Sequence, residues 1–583
     1  MQVEILTSFD RLQALEPEWD RLWRALPGRQ VFTTFGWVRA CWHARGGRHP
    51  LHTPVVLSGG RVVGILPLVA EDRRLRFAGA PFADYNDLIC APDDAPAVAA
   101  LVLAALERVE APLQHCVLEN LPEGSALLSG LDRLMPSMRS RVRLLPGQSC
   151  PTLLLGEERE EILTGILSKR SLRRHQNKLR RLGSLRFHHL EDRGEIRRHL
   201  PRFFEQHIHR RALAGDRSHF LESESRRFYE HLIETLDPGR ELRFGVLDLD
   251  GRPLAYHLGF ELNGRFTWYK PTFDVDCWDL SPGEVLLKSL FEYAQERGVE
   301  EFDFSRGDEA FKDRFANHVR QNQTLYVYAH NSSGAALRLY DGTRLGLKSQ
   351  SWRPAILKSA LALRGRLTET LRLLLRSSGR DGGRGLVKRA WRALVYSRDE
   401  AIVYAAGKSR KEPAGAPADS ELTQRAGALS DLAGLAPDHP DVFDEKALAA
   451  ARQRLRDGDL LFVSLSGGSI RHLAWAGARS ETAIPGARRL SRIRLPLGTL
   501  LIFDWWVPER EDGGEAHAFA LQEIVRRRPE DDVWTLCRAD DAAARAAIEA
   551  AGFSPRIRAG DIRLFGRSLS SWQWVMASLA LIG

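Results

Sequence analysis

One arrangement of apolar runs recurs three times along this chain and narrows what it can fold into. In each case two short runs flank a glycine-containing turn, and a helix and a further short run follow. The hairpin signals are Pro54–Leu57 and Val62–Leu68 around Gly59-Gly60, Leu242–Asp248 and Pro253–Glu261 around Gly251-Arg252, and Leu460–Leu465 and Ser469–Ala476 around Ser466-Gly467-Gly468. The helix-then-run pairs are Ala95–Glu107 with Val117–Leu121, Gly283–Arg297 with Glu301–Phe304, and Ala516–Arg528 with Val533–Cys537. No period of 20–50 residues underlies the pattern, so the chain is not a solenoid. At roughly 150 residues per domain, 583 residues make three or four domains. The expectation is an α/β (α+β) protein with related units at 1–155, 156–335 and 420–567, a connector at 336–419 and an apolar tail at 568–583. Residues 338–415 show no strand signal, and Ile162–Leu182 reads as one basic helix.

Charge is unevenly placed. The chain carries 84 Lys+Arg against 75 Asp+Glu, a formal +9. The stretch Ser168–Arg186 holds eight basic residues and no acid, and Arg338–Lys411 is also strongly basic. The remainder is acidic overall. Concentrated positive charge attracts phosphates or an anionic surface, although a basic helix more often simply shows solvent a charged face. Within Arg353–Arg376, Ile356, Ala360, Leu363, Leu367, Leu371 and Leu374 share one arc at helical spacing. That arc suits either packing on the third unit or lying on an anionic membrane.

Several classes lose support. The six cysteines are widely spaced with no CxxC, against a disulfide scaffold or a thiolate metal site. His207, His209 and His219 lack a completing ligand at metal spacing, and no metal is expected. The hydrolase, metalloprotease, dinucleotide-binding and P-loop motifs are absent. The first residues, MQVEILTSFD, lack signal-peptide character, and no apolar run reaches membrane-spanning length. A cytoplasmic location is expected, with a peripheral inner-membrane association through 338–411 as a variant. No DNA partner is expected.

The most informative stretch is Ser281–Phe315, with Ser281-Pro282-Gly283 before a helix, then Phe302-Asp303-Phe304, Arg306-Gly307-Asp308-Glu309 and Phe311-Lys312. It resembles the CelD/BcsL acetyltransferase-like family of bacterial exopolysaccharide and cellulose synthesis, itself related to FemAB-type peptidyl transferases built from two GNAT-like (Gcn5-related N-acetyltransferase) units. Val62–Leu68, Ala83–Leu88 and Ser168–Leu182 resemble its other segments, so the likeness covers about residues 1–330. Phe311 stands where the family often has Tyr. The resemblance implies acetyl-CoA or another acyl-CoA as co-substrate and a sugar or amine acceptor. It suggests Lys312, Asp303, Asp308 and Arg306 as catalytic candidates and Asp84, Tyr85 and Phe311 as acceptor contacts. A helix start at Pro282 and Gly283 offers backbone N–H groups to a phosphate or carbonyl. Asp303 or Asp308 could accept a proton or pair with Arg306, and Lys312 could balance developing negative charge.

Leu500–Phe553 resembles a single GNAT domain. Aligned by spacing, Gly514 and Ala516 fill the last two places of the pyrophosphate-binding loop. Glu511 stands where Arg or Gln is expected, Asp541 at the usual Asn and Ile548 at the frequent Tyr acid. A carboxylate there repels pyrophosphate and Ile donates no proton, so a helper domain is expected. The leading functional reading is an acyl-CoA-dependent N- or O-acyltransferase acting on a sugar or sugar-linked precursor. The alternatives are a FemAB-like transferase using charged tRNA and a non-catalytic assembly factor of an envelope-polysaccharide complex.

Overall fold

The computed structural model describes residues 1–110, 112–332, 334–338, 396–406, 422–483, 492–508, 513–564 and 567–575. The chain forms two compact units, Met1–Gln350 and Ser351–Gly583. The helix expected at 353–376, and most of the basic 338–411 segment, lie outside the described residues.

The first unit is organised by one ten-stranded sheet. In spatial order its strands are Leu68–Glu71, Arg74–Phe77, His115–Leu121, His318–Tyr328, Val142–Leu154, Glu301–Asp303, Arg265–Phe273, Arg252–Leu262, Leu242–Leu249 and Leu185–Leu190. The late strand His318–Tyr328 is inserted between two early ones, antiparallel to both. Val142–Leu154 in turn pairs with Glu301–Asp303. The early and late halves therefore interleave rather than abut. A smaller sheet, Gln2–Leu6, Thr53–Ser58, Arg61–Ile65 and Ile89–Cys90, flanks them.

Among the named strands of this unit, two pairs run parallel: Arg74–Phe77 with His115–Leu121, and Arg265–Phe273 with Glu301–Asp303. Parallel neighbours need a crossover. Here the crossovers contain the helices Ala95–Glu107 and Pro282–Arg297. The second helix starts with Pro at its first position and ends at Gly298 in the left-handed region (φ 68), the residues favoured at those two ends.

Packing follows the interleaving. Phe32, Trp37, Phe82 and Tyr85 share one core with Phe203, Phe228, Tyr229, Phe244, Tyr256 and Tyr269. Trp37 is fully buried, with ring centroids 5.0 Å from Phe228, 5.6 Å from Phe260 and 6.0 Å from Tyr269. The basic stretch is two helices, Arg159–Leu167 and Arg170–Arg180, not one. Both pack on Pro282–Arg297. A straight helix over 22 residues runs about 33 Å, longer than the roughly 24 Å of its partner, so the chain bends to keep both apolar faces covered. The bend is at Lys169, whose ammonium donates to the Arg314 carbonyl (2.7 Å).

The second unit holds an eight-stranded sheet in the order Thr423–Ala426, Leu460–Ser466, Ser469–Ala478, Thr499–Trp506, Asp532–Arg538, Tyr396–Ala406, Phe553–Leu564 and Arg567–Val575. Its parallel pair, Thr499–Trp506 with Asp532–Arg538, is again joined through a helix, Gly513–Arg527. Two expectations need correction. The connector thought to lack strands contributes Tyr396–Ala406, and the stretch read as a tail begins as the strand Arg567–Val575. Tyr396–Ala406 is inserted antiparallel between Asp532–Arg538 and Phe553–Leu564.

Because the two halves of the first unit share a sheet and a core, they should unfold together. Trp37→Ala is expected to destabilise this unit by about 3–5 kcal/mol. In hydrogen exchange the loss of protection should extend to Leu242–Leu249 and Arg265–Phe273; loss confined to residues 1–110 would contradict a shared core.

Candidate active site

The short strand Glu301–Asp303 ends in a tight turn. Ser305 has φ 61 and Gly307 φ 115. At Gly307 the positive φ favours glycine, and a Cβ would also push against the Glu309 carboxylate end, 2.6 Å away. The turn brings residues 305–312 against the early loop 79–88.

The buried contact between these loops is ionic. Arg306 Nε lies 2.6 Å from Asp84 Oδ1, and the Ser305 hydroxyl donates to Asp84 Oδ2. Arg306 also reaches the Pro81 carbonyl (3.3 Å), and Asn322 Nδ2 donates to the Asp84 carbonyl (3.1 Å). The Asp84 carboxylate beside it raises the Arg306 guanidinium above its ordinary value. Arg306 thus pairs with Asp84, rather than with Asp303 or Asp308 as expected.

Asp303 is fully buried beside this pair. Its Oδ1 accepts from the Tyr85 hydroxyl (3.0 Å) and the Ser305 N–H (2.7 Å), while Oδ2 is shielded and without a partner. Burial pushes the Asp303 carboxyl up to about 6, partly opposed by Arg265 and the Ser305 N–H. Burial, then the Asp303 charge, pushes the Tyr85 phenol well up, so Tyr85 stays a donor.

Lys312 is buried and committed to the turn. Its ammonium lies 3.4, 2.9 and 3.3 Å from the carbonyls of Ser305, Arg306 and Gly307, and 2.7 Å from Glu309. Three N–H bonds face four acceptors, so none is left over for a ligand while the turn holds. Asp308 is exposed and outside the buried network. Phe311 is half-buried, its ring 6.3 Å from those of Trp268 and Phe304.

Pro282 and Gly283 open the crossover helix as expected, but few donors remain there. Pro282 has no N–H, and those of Glu284 and Val285 bond to the Ser281 carbonyl. Gly283 retains an N–H with no acceptor among the described residues. Glu284 is held by His175 (3.0 Å) and Arg314 (2.8 Å).

In the second unit Gly514 faces open space and Ala516 is buried, both in the first turn of Gly513–Arg527. Glu511 lies outside the described residues. Ile548 is in the core and Asp541 caps a helix through the Ala544 N–H (3.0 Å). Unforeseen is a buried pair, His472 Nε2 to His517 Nδ1 at 2.7 Å, with the Trp505 ring tilted against His517 at 4.2 Å between centroids. Burial depresses both imidazoles, His517 to about 4. The His207–His219 cluster is packed by rings (5.0 Å) and a Ser218 hydroxyl (2.8 Å). Among the described residues no His/Cys/Asp/Glu group could hold a metal.

The sequence does not point to Ser305, Asn322 or the histidine pair. Ser305 stands next to the motif and was within reach; the others are assembled by sheet order alone.

A family model described as "Acetyltransferase (GNAT) domain" matches residues 168–313, so this stretch carries a GNAT acetyltransferase domain. No curated protein matches the chain. Solved structures with similarity include FemX (12% identity, covering 56% of this chain and 97% of that one, TM-score 0.40). Another is a tandem GNAT protein from the clavulanic acid biosynthesis pathway (15%, 57% and 100%, TM-score 0.34). A third is L-PGS from Bacillus licheniformis (13%, 53% and 95%, TM-score 0.32). A GNAT domain implies an acyl-CoA co-substrate and an acceptor.

Removing Arg306 strands the buried Asp84 carboxylate, so Arg306→Ala should destabilise the first unit by about 3–5 kcal/mol; Asp84→Ala leaves a guanidinium that reaches solvent and should cost less, with the double variant losing less than the sum, by denaturant titration. In the second unit the histidines must stay neutral. Their folded pKa values are below the unfolded 6.5, so stability is full above pH 6.5 and falls as the pH drops toward 4. His517→Phe should flatten that slope in a pH series of melting curves.

Proposed function

We propose that the first unit transfers an acyl group from an acyl-CoA thioester to an amine or hydroxyl of a sugar or sugar-linked precursor, at the junction of loops 79–88 and 305–312. The observation that carries the reading is Asp303: a buried carboxylate, oriented on Oδ1 by Tyr85 and Ser305, with Oδ2 enclosed but unpartnered and an affinity for protons raised toward neutrality. Such a group suits general-base work near pH 7. The sugar-type acceptor rests on the resemblance of Ser281–Phe315 to exopolysaccharide-linked proteins.

The residues present fit the donor in one respect. The parallel pair Arg265–Phe273 and Glu301–Asp303 leads into a helix whose Gly283 N–H has no protein acceptor. When bound, the thioester supplies the activated acyl group. In this reading Asp303 Oδ2 takes the proton from the attacking amine or hydroxyl. Tyr85 and the Ser305 N–H keep Oδ1 from turning, and the Asp84–Arg306 pair fixes the loop that carries Ser305. Lys312 is a positioning residue, holding three carbonyls of the turn at once.

A second reading has its own observation. On the helix Arg170–Arg180 and just past it, Arg170, Arg173, Arg174, Arg180 and Arg181 are exposed, with no acid paired to them among the described residues. This face would suit the backbone of a charged tRNA, as in FemAB-like aminoacyl transfer. Affinity for tRNA would then fall steeply with salt; absent or salt-insensitive binding dismisses that reading.

Turnover by the full chain, followed as free thiol released from acyl-CoA, should rise with pH through an inflection near 6 as Asp303 ionises. Asp303→Asn should lower kcat by about 100-fold or more and abolish the inflection. A variant with unchanged kcat and pH profile removes Asp303 from the chemistry.

A further inference from the structure

Charge around the strand Arg265–Phe273 does not balance. Near its end, Lys270 lies among Asp84, Glu309, Arg306 and Arg211. Each of the other charges there has a partner: Asp84 with Arg306, Glu309 with Lys312, and Arg211 with Asp216 (3.0 Å). Lys270 has neither an ion pair nor a hydrogen bond among the described residues, its Nζ resting 4.2 Å from the centroid of the Tyr269 ring. It is surrounded by protein yet keeps partial solvent access, the situation of a charge in a recess.

The ring beneath it is fixed. Tyr269 OH donates to the Phe82 carbonyl (2.6 Å) and accepts from Tyr229 OH (3.2 Å), tying this strand to loop 79–88. A register shift between Leu258 and Phe260 interrupts the neighbouring ladder where Trp268 and Tyr269 sit, just before Lys270. A second unsatisfied group lies nearby. His219 Nε2 is shielded from solvent with no partner, and Lys270 is the largest charge acting on that imidazole. Burial keeps His219 neutral, so its ring can present an N–H.

We propose that Lys270 anchors an oxyanion subsite, with His219 beside it, that takes a carboxylate or phosphate group carried by the acceptor. A half-buried cation without a counter-charge is unfavourable, and an incoming monoanion removes that penalty while gaining a charge-assisted hydrogen bond. Consistent with the missing counter-charge, desolvation lowers the Lys270 ammonium to about 8. The subsite adjoins the Asp84–Arg306 pair, so an acceptor held there by its anion would have its nucleophile near the junction. Assigning the anion to the acceptor rests on the acyl-transfer reading; the anion subsite itself does not.

The test uses the full wild-type chain and two probes, inorganic phosphate and malonate, at constant ionic strength. Lysines are acetylated with acetic anhydride and the rate at each is read by mass spectrometry. Either probe at ten times its Kd should slow labelling of Lys270 about tenfold and leave the exposed Lys446 unchanged. Protection by phosphate alone, malonate alone or both supports the subsite and identifies the group it prefers. Equal labelling of Lys270 with and without both probes overturns it. The same anions should raise the melting temperature of wild type and of Lys270→Arg, but not of Lys270→Met; an equal rise in Lys270→Met places the anion elsewhere. In the turnover assay the protecting anion should compete with the acceptor, and non-competitive behaviour overturns the acceptor assignment. Protection without any acyl-CoA turnover leaves the subsite standing and removes the acyl-transfer reading. Turnover without protection does the reverse.

Discussion

The first unit depends on an ion pair between residues 222 positions apart, the buried Asp84 and the partly exposed Arg306. The Asp84 carboxylate could not remain so shielded alone, because desolvation of an unpaired ion costs more than the fold can spare. The pair exists because the sheet interleaves the two halves, putting His318–Tyr328 between His115–Leu121 and Val142–Leu154. From it follow the seating of Ser305, the bonds to Asp303, and the Lys312 clamp on the turn. Side chains from both halves thus meet at one junction.

The same ordering explains how polar groups are distributed. Where carbonyls of the 305–307 turn point inward, Lys312 satisfies them. Where the Asp303 carboxylate is enclosed, a phenol and an amide satisfy one oxygen and leave the other. Native interiors keep few such orphans, and each one needs a physical reason. At the junction these are the Asp303 oxygen and the Asn322 carbonyl oxygen, while others, such as His189 Nε2 and Thr272 Oγ1, lie elsewhere in the unit. In the second unit the histidine pair is the comparable feature, in a core otherwise filled by Ile502, Leu521 and Ile548.

Much of the local structure was legible in the sequence because hairpins and crossover helices declare themselves by periodicity and glycine placement. The Arg306–Glu309 turn and Lys312 were legible as a motif. The partner of Arg306 was not: no spacing rule links it to Asp84, and only sheet order does. The basic stretch Ile162–Leu182 reads as one helix because its charge pattern continues smoothly; what breaks it is the length of the helix it packs on. Tyr396–Ala406 escaped notice for a related reason. Ala401, Val403 and Ala405 face one core while Ile402 and Tyr404 face another. A strand buried on both faces lacks the polar–apolar alternation of a half-exposed one. Lys270 was invisible because a lysine without a partner has no sequence signature.

In the proposed reading the acyl donor is held by the first unit, beside the junction of its two halves. A crystal structure of the full chain with a non-hydrolysable acyl-CoA analogue tests it most directly. Density for the analogue is expected along Arg265–Phe273 and Glu301–Asp303, with the phosphates toward Gly283 and the acyl end toward Asp303. Density confined to the second unit, at the start of Gly513–Arg527, would contradict it.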